Sequence, residues 1–153
     1  METLKQRPKI TRGMQLPSKW LLKSDPEAYS FEDLRREGQT TWDGVSNNLA
    51  LRNLRNFRRG DWAFIYHTGQ ERAVVGIAEI LSDPYPDPKL KDPRLVVVDI
   101  KARERLRRPV RLDEIKQQPQ LKTFDLVNLP RLSVLSVSDA QWAAILTLAG
   151  QER

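Results

Sequence analysis

The chain has 153 residues, 39% hydrophobic and 30% charged, with a formal net charge of +6. That length is enough for one domain with its own core, and the absence of cysteine excludes disulfides, thiolate metal sites and a cysteine nucleophile. A single histidine, His67, is too few for a zinc site without clustered carboxylates, so neither metal nor cofactor is expected.

No stretch approaches the ~20 apolar residues of a membrane helix, and the basic N-terminus lacks the apolar region of a secretory signal. A cytoplasmic monomer is the expectation. The basic balance favours a polyanionic partner, because lysines and arginines that meet phosphates release condensed counterions.

Residues 1–16 carry Lys5, Arg7, Lys9 and Arg12 with no apolar period, which reads as a flexible basic tail before a domain over 17–150. Lys19–Ser24 reads as a strand ended by Asp25-Pro26. Ser30 with Asp33 three residues on reads as a capped helix start, and Gly38 as its stop. Thr40-Thr41-Trp42 is short and extended, and Asp43-Gly44 turns the chain. Leu49, Ala50, Leu54 and Phe57 then follow helical spacing, with Arg52, Arg55, Arg58 and Arg59 as an acid-free polar face. The start of that helix faces the region of Trp42.

Gly60-Asp61 leads into a strand over 62–67, and a second strand covers 72–81 with Gly76 inside it, the mark of a bulge or a close approach. Residues 83–88 hold three prolines around Tyr85 and read as an ordered loop. A strand over 95–102 trails into a basic cluster that includes Arg105. A short helix from Leu112, a strand over 132–137 and a helix capped by Ser138 complete the chain. Five or six short strands with helices between them indicate an α+β domain built on a small mixed barrel.

Nucleophilic catalysis lacks a Gly-x-Ser-x-Gly elbow, and phosphate-binding and dinucleotide glycine loops are absent. A base-binding pocket needs an aromatic face and a few fixed edge contacts. Trp42, set at a polar turn, supplies the face, with Trp20, Tyr85, Trp62 or Tyr66 as a second wall. Lys23, Ser24, Asp43, Asn47, His67 and the backbone at Gly44 supply the edges. Arg52, Arg55, Arg58, Arg59 and Arg105 are the candidates for phosphate contact.

Five segments in order resemble the EVE domain family: Trp20-Leu-Leu-Lys-Ser-Asp-Pro26, Trp42-Asp-Gly-Val45 with Asn47, Gly60-Asp61 before Tyr66-His67, Val75-Gly76-Ile-Ala-Glu79, and Tyr85-Pro86-Asp87. The resemblance implies a PUA-like fold, a small mixed β-barrel with helices inserted at its edge, related to the YTH domain that reads methylated adenine in RNA. Lys23-Ser24 and Trp42 look like the positions YTH domains use for strand-end contacts and one cage wall, with Val45 beside them. A non-catalytic reader of a modified base in DNA or RNA is the implied function. One departure stands out: the family usually has Arg where Ser46 precedes Asn47, which bears on ligand strength or choice, and nearby Arg52 or Arg55 could substitute. The alternatives are an enzyme with His67 as acid–base group near Ser24, and a protein-interaction module using the loop at 83–88.

Overall fold

The computed structural model describes residues 16–151. The basic N-terminal stretch lies outside the described residues apart from Leu16, which is exposed. No helix among the described residues is long and apolar enough to cross a membrane.

β1 (Lys19–Ser24) ends at the Asp25-Pro26 turn, and Asp25 carbonyl oxygen accepts from both Ala28 and Tyr29 amides. α1 (Phe31–Glu37) starts on a complete capping box, in which Ser30 takes the Asp33 amide and Asp33 takes the Ser30 amide. It stops at Gly38, whose φ of 87° lies in the left-handed region. β2 (Gln39–Trp42) follows, then the Gly44 turn and α2 (Asn48–Leu54). α2 is shorter than the apolar spacing suggests, so Arg58 and Arg59 stand beyond its end and form no continuous face with Arg52.

β3 (Trp62–His67) and β4 (Ala73–Ile80) form a hairpin. β5 (Tyr85–Pro86) lies within the proline-rich stretch expected to be loop, and pairs with Val96 and Val97. Proline is tolerated there because β5 lies off the main run of strands, where its missing donor interrupts no ladder. β6 (Val96–Arg111) is sixteen residues long and absorbs the basic cluster into a strand. α3 (Leu112–Lys116), a 3-10 turn at Pro119–Leu121, α4 (Asp125–Asn128), β7 (Val134–Val137) and α5 (Asp139–Leu148) finish the fold.

The seven strands form one sheet in the order β2-β6-β4-β3-β1-β7, with β5 attached to β6. The sheet does not close into the expected barrel: β2 and β7 remain its edges. α2 occupies the region between them, burying Ala50, Leu51 and Leu54 and donating from Asn53 Nδ2 to the Val134 carbonyl of β7 at 2.7 Å.

β1 and β3 are parallel, with Lys23 opposite Tyr66 and Ser24 opposite His67. Their carboxyl ends therefore emerge side by side, the edge where parallel strands present loops and ligand clefts. Two close contacts lock this arrangement. Phe31 packs over Gly76, where an added Cβ would fall 2.4 Å from the ring. Trp142 of α5 stacks on Phe64 of β3 with centroids 3.8 Å apart. Fully burying an aromatic such as Phe31 stabilises by roughly 1.5–3 kcal/mol.

Candidate nucleic-acid interface

A cavity of about 660 Å³ opens at the carboxyl end of β1, between that strand end and the segment from β2 to the first residue of the α2 cap. Its volume lies within the roughly 300–1,000 Å³ of small-molecule clefts. Lys23, Ser24, Trp42, Asp43, Gly44, Val45 and Asn47 all line it, as does Ser46. Ser46 leaves this wall without the arginine of the family pattern. Arg55, one of its suggested substitutes, donates instead to the Arg94 carbonyl at 2.7 Å, and neither Arg52 nor Arg55 lines the cavity.

Each wall has a local cause. Gly44 has φ of 83°, a conformation side chains oppose, and this turns the chain from Trp42 toward α2. Asn47 caps α2 by accepting from the Ala50 amide at 3.0 Å, which holds its side chain at the cavity's edge. Ser24 lines the cavity with its hydroxyl hydrogen committed to the Tyr29 carbonyl, which leaves its oxygen only an acceptor's role. Lys23 Nζ donates to the Pro130 carbonyl at 2.8 Å, and burial pulls its ammonium below the ordinary lysine range.

The second aromatic wall is Tyr29, which none of the sequence expectations singles out. Its ring meets Trp42 edge-on, with centroids 6.2 Å apart and planes at 74°. The Tyr29 hydroxyl donates to Glu37 at 2.7 Å. Burial first, and that bond second, push its pKa up to about 12, so it stays a donor throughout the physiological range. The signal for Tyr29 was weak: it sits in a tight turn after Pro26, where aromatic identity follows no strand or helix period. Asp25, Thr40, Thr41, Ser133 and Lys89 complete the lining.

Three expected pocket residues lie elsewhere. Trp20 is buried against Phe57 at 4.5 Å and donates from Nε1 to Asp61 at 2.9 Å, so it is a core residue. Tyr85 reaches back to Asp99, with its hydroxyl 2.7 Å from the carboxylate, and does not face the cavity. His67 is buried, with Nε2 accepting from the Phe31 amide at 3.0 Å and Nδ1 2.7 Å from Glu71. With Nε2 accepting, the proton of the neutral ring sits on Nδ1 and donates to Glu71. Both nitrogens are occupied, and no ring atom is left to serve Ser24 as a base.

The arginines expected on phosphate are dispersed as well. Arg58 donates to the carbonyls of Arg55 and Phe57 just past α2, and Arg105 pairs with Glu32. Arg52 and Arg59 are exposed and away from the cavity.

Residues 18–148 match the EVE domain. The chain belongs to the EVE domain family. Its α+β fold is accordingly the PUA-like one. Rat thymocyte nuclear protein 1 is 31% identical over 176 residues, covering 93% of this chain and 78% of that protein. A crystal structure of a protein from Agrobacterium tumefaciens is 34% identical with a TM-score of 0.85, covering 88% of this chain and 94% of that one. The crystal structure of human THYN1 in complex with 5-methylcytosine-containing DNA is 29% identical with a TM-score of 0.81, covering 89% of this chain and 99% of that chain.

Proposed function

We propose that this EVE domain is a non-catalytic reader of a modified nucleobase in a nucleic-acid strand, with a modified cytosine in DNA as the first ligand class to test. The observation that carries the reading is the Trp42–Tyr29 pair at a cavity whose other walls are mostly polar: hydroxyls, the Asn47 amide, two lysines and the carboxylates of Asp25 and Asp43. An indole face gives a stacking platform. Ser24, Thr40 and Asn47 offer short polar groups at fixed positions for a base edge, with Asp25 and Asp43 as further acceptors and Lys23 and Lys89 as donors. The relative crystallised with 5-methylcytosine-containing DNA supports the same ligand class.

In this reading Trp42 stacks on the base, Tyr29 walls it from the side, and the Gly44 turn lets backbone approach the base edge. The target base must leave its duplex stack, which costs a few kcal/mol, so single-stranded or mismatched sites bind more tightly than perfect duplex. The test is fluorescence anisotropy with a labelled single strand carrying one 5-methylcytosine, against the same strand unmodified. Trp42→Ala loses about 1–3 kcal/mol of stacking, or about 5- to 150-fold in affinity for the modified strand, while the melting temperature is retained. Equal affinity of both proteins for both strands overturns the reading.

A further inference from the structure

Beside the base cavity, across Lys23, a second cleft opens at the carboxyl end of β3. Lys23, Tyr66, Thr68, Gly69, Arg72 and Lys116 line it, in a volume of about 270 Å³. Lys23 belongs to both clefts, so the two adjoin at the paired ends of β1 and β3. Its ammonium sits 5.7 Å from the Tyr66 ring centroid.

Three cations line this cleft, and two acids near it already have basic partners. Glu71 is held by His67, and Asp113 lies 3.6 Å from Arg111. Among the described residues neither Arg72 nor Lys116 forms an ion pair. Arg72 is also the one non-glycine described residue at positive φ, 46°, a conformation that costs energy and needs outside support. The support is visible: the Arg72 carbonyl accepts from the Leu112 amide at 2.8 Å, which ties the β3–β4 turn to α3 and brings Arg72 beside Lys116. Thr68 and Gly69, at the opposite rim, add a hydroxyl and an uncrowded backbone. Burial pushes the Tyr66 hydroxyl above the ordinary tyrosine range, and the nearby Arg72 charge offsets part of that rise.

We infer that this cleft, through Lys23, Arg72 and Lys116, binds the phosphodiester adjoining the base held against Trp42. The inference rests on the base-reader reading, and it assigns backbone contact to residues other than the arginines of α2 and β6. A fork-shaped guanidinium with two ammonium groups suits a non-bridging phosphate oxygen pair. The shared lysine fixes the strand's direction: the base enters one cleft as its neighbouring phosphate enters the next.

The test uses the full chain, R72Q/K116Q and the charge-conserving R72K/K116R. With the single strand carrying one 5-methylcytosine, R72Q/K116Q binds modified and plain strands roughly tenfold more weakly, and the salt slope of log K falls by about 0.7, the share of one phosphate contact on a single strand. R72K/K116R restores most of both. Free 5-methyl-2′-deoxycytidine, which has no phosphate, binds the two variants and the parent alike. Independently of any oligonucleotide, inorganic phosphate shifts the amide resonances of Thr68, Gly69 and Arg72 in the parent and not in R72Q/K116Q. Unchanged strand affinity and slope in R72Q/K116Q, or no phosphate-induced shift in the parent, overturns the inference. A phosphate shift without preference for the modified strand instead overturns the base reading and leaves an anion site alone.

Discussion

Tyr29 and His67 show how a residue's local sequence setting can mislead in opposite directions. His67 stands at a strand end opposite Ser24, where a catalytic base is easy to imagine, yet it holds the first amide of α1 and the Glu71 carboxylate. Tyr29 stands in a turn and forms a cavity wall. Its raised pKa gives a pH test with a definite sign. A tyrosine whose folded pKa is raised stabilises the fold fully below the unfolded value near 10, and loses that contribution as pH climbs through about 12. Denaturant titrations of the parent and Tyr29→Phe are therefore expected to show the largest stability gap at pH 8–9, shrinking above pH 10. A gap that stays constant to pH 11.5 would mean that the folded hydroxyl titrates where the unfolded one does, shifted neither by burial nor by Glu37.

At the scale of elements, the family segments divide into those that line a site and those that hold the frame. Gly60-Asp61 is a frame device: buried Asp61 accepts from the Ser18 and Arg58 amides and from the Trp20 indole, fixing the start of β1 beside β3. Tyr85-Pro86-Asp87 attaches β5 to β6, with Asp87 taking the Lys89 amide, and so leaves Lys89 at the cavity rim. Gly76 is where β4 passes under α1. Gly76→Ala is expected to destabilise by about 1–3 kcal/mol through overpacking on Phe31. Phe31→Leu alone should also destabilise, yet recover part of the loss when combined with Gly76→Ala, a favourable coupling that urea denaturation of the four chains measures. If the two losses simply add, the ring is not what the new methyl meets.

Helix starts at Ser30 and Ser138, the strand ends at Asp25-Pro26 and the inner face of α5 were legible because each depends on local chemistry: a cap, a proline, a 3.6-residue period. Trp42 beside Asn47 was legible for the same reason. Trp20 was not, because an indole pointing to a buried Asp61 and one pointing into a cavity share the same strand pattern. Nor was the cleft at Arg72, since the residues that build it lie at β1, the β3–β4 turn and α3, and only the parallel pairing of β1 with β3 joins them.

For the molecule as a whole, the question is how a net charge of +6 coexists with discrimination between bases. Phosphate contact lacks sequence information, and its contribution scales with counterion release, about 0.7 in slope per contact on a single strand. Stacking on Trp42 and polar contact with a base edge release no ions. The two contributions therefore separate with salt. Between 50 and 300 mM potassium chloride, affinity for modified and plain strands is expected to fall in parallel, on log–log plots with the same slope, while their ratio stays constant. Trp42→Ala collapses the ratio toward one without changing the slope, and R72Q/K116Q lowers the slope without changing the ratio. A ratio that drifts steadily with salt would mean that modified and plain strands place different numbers of phosphates on the protein, and the separate-cleft picture would give way to two distinct binding modes.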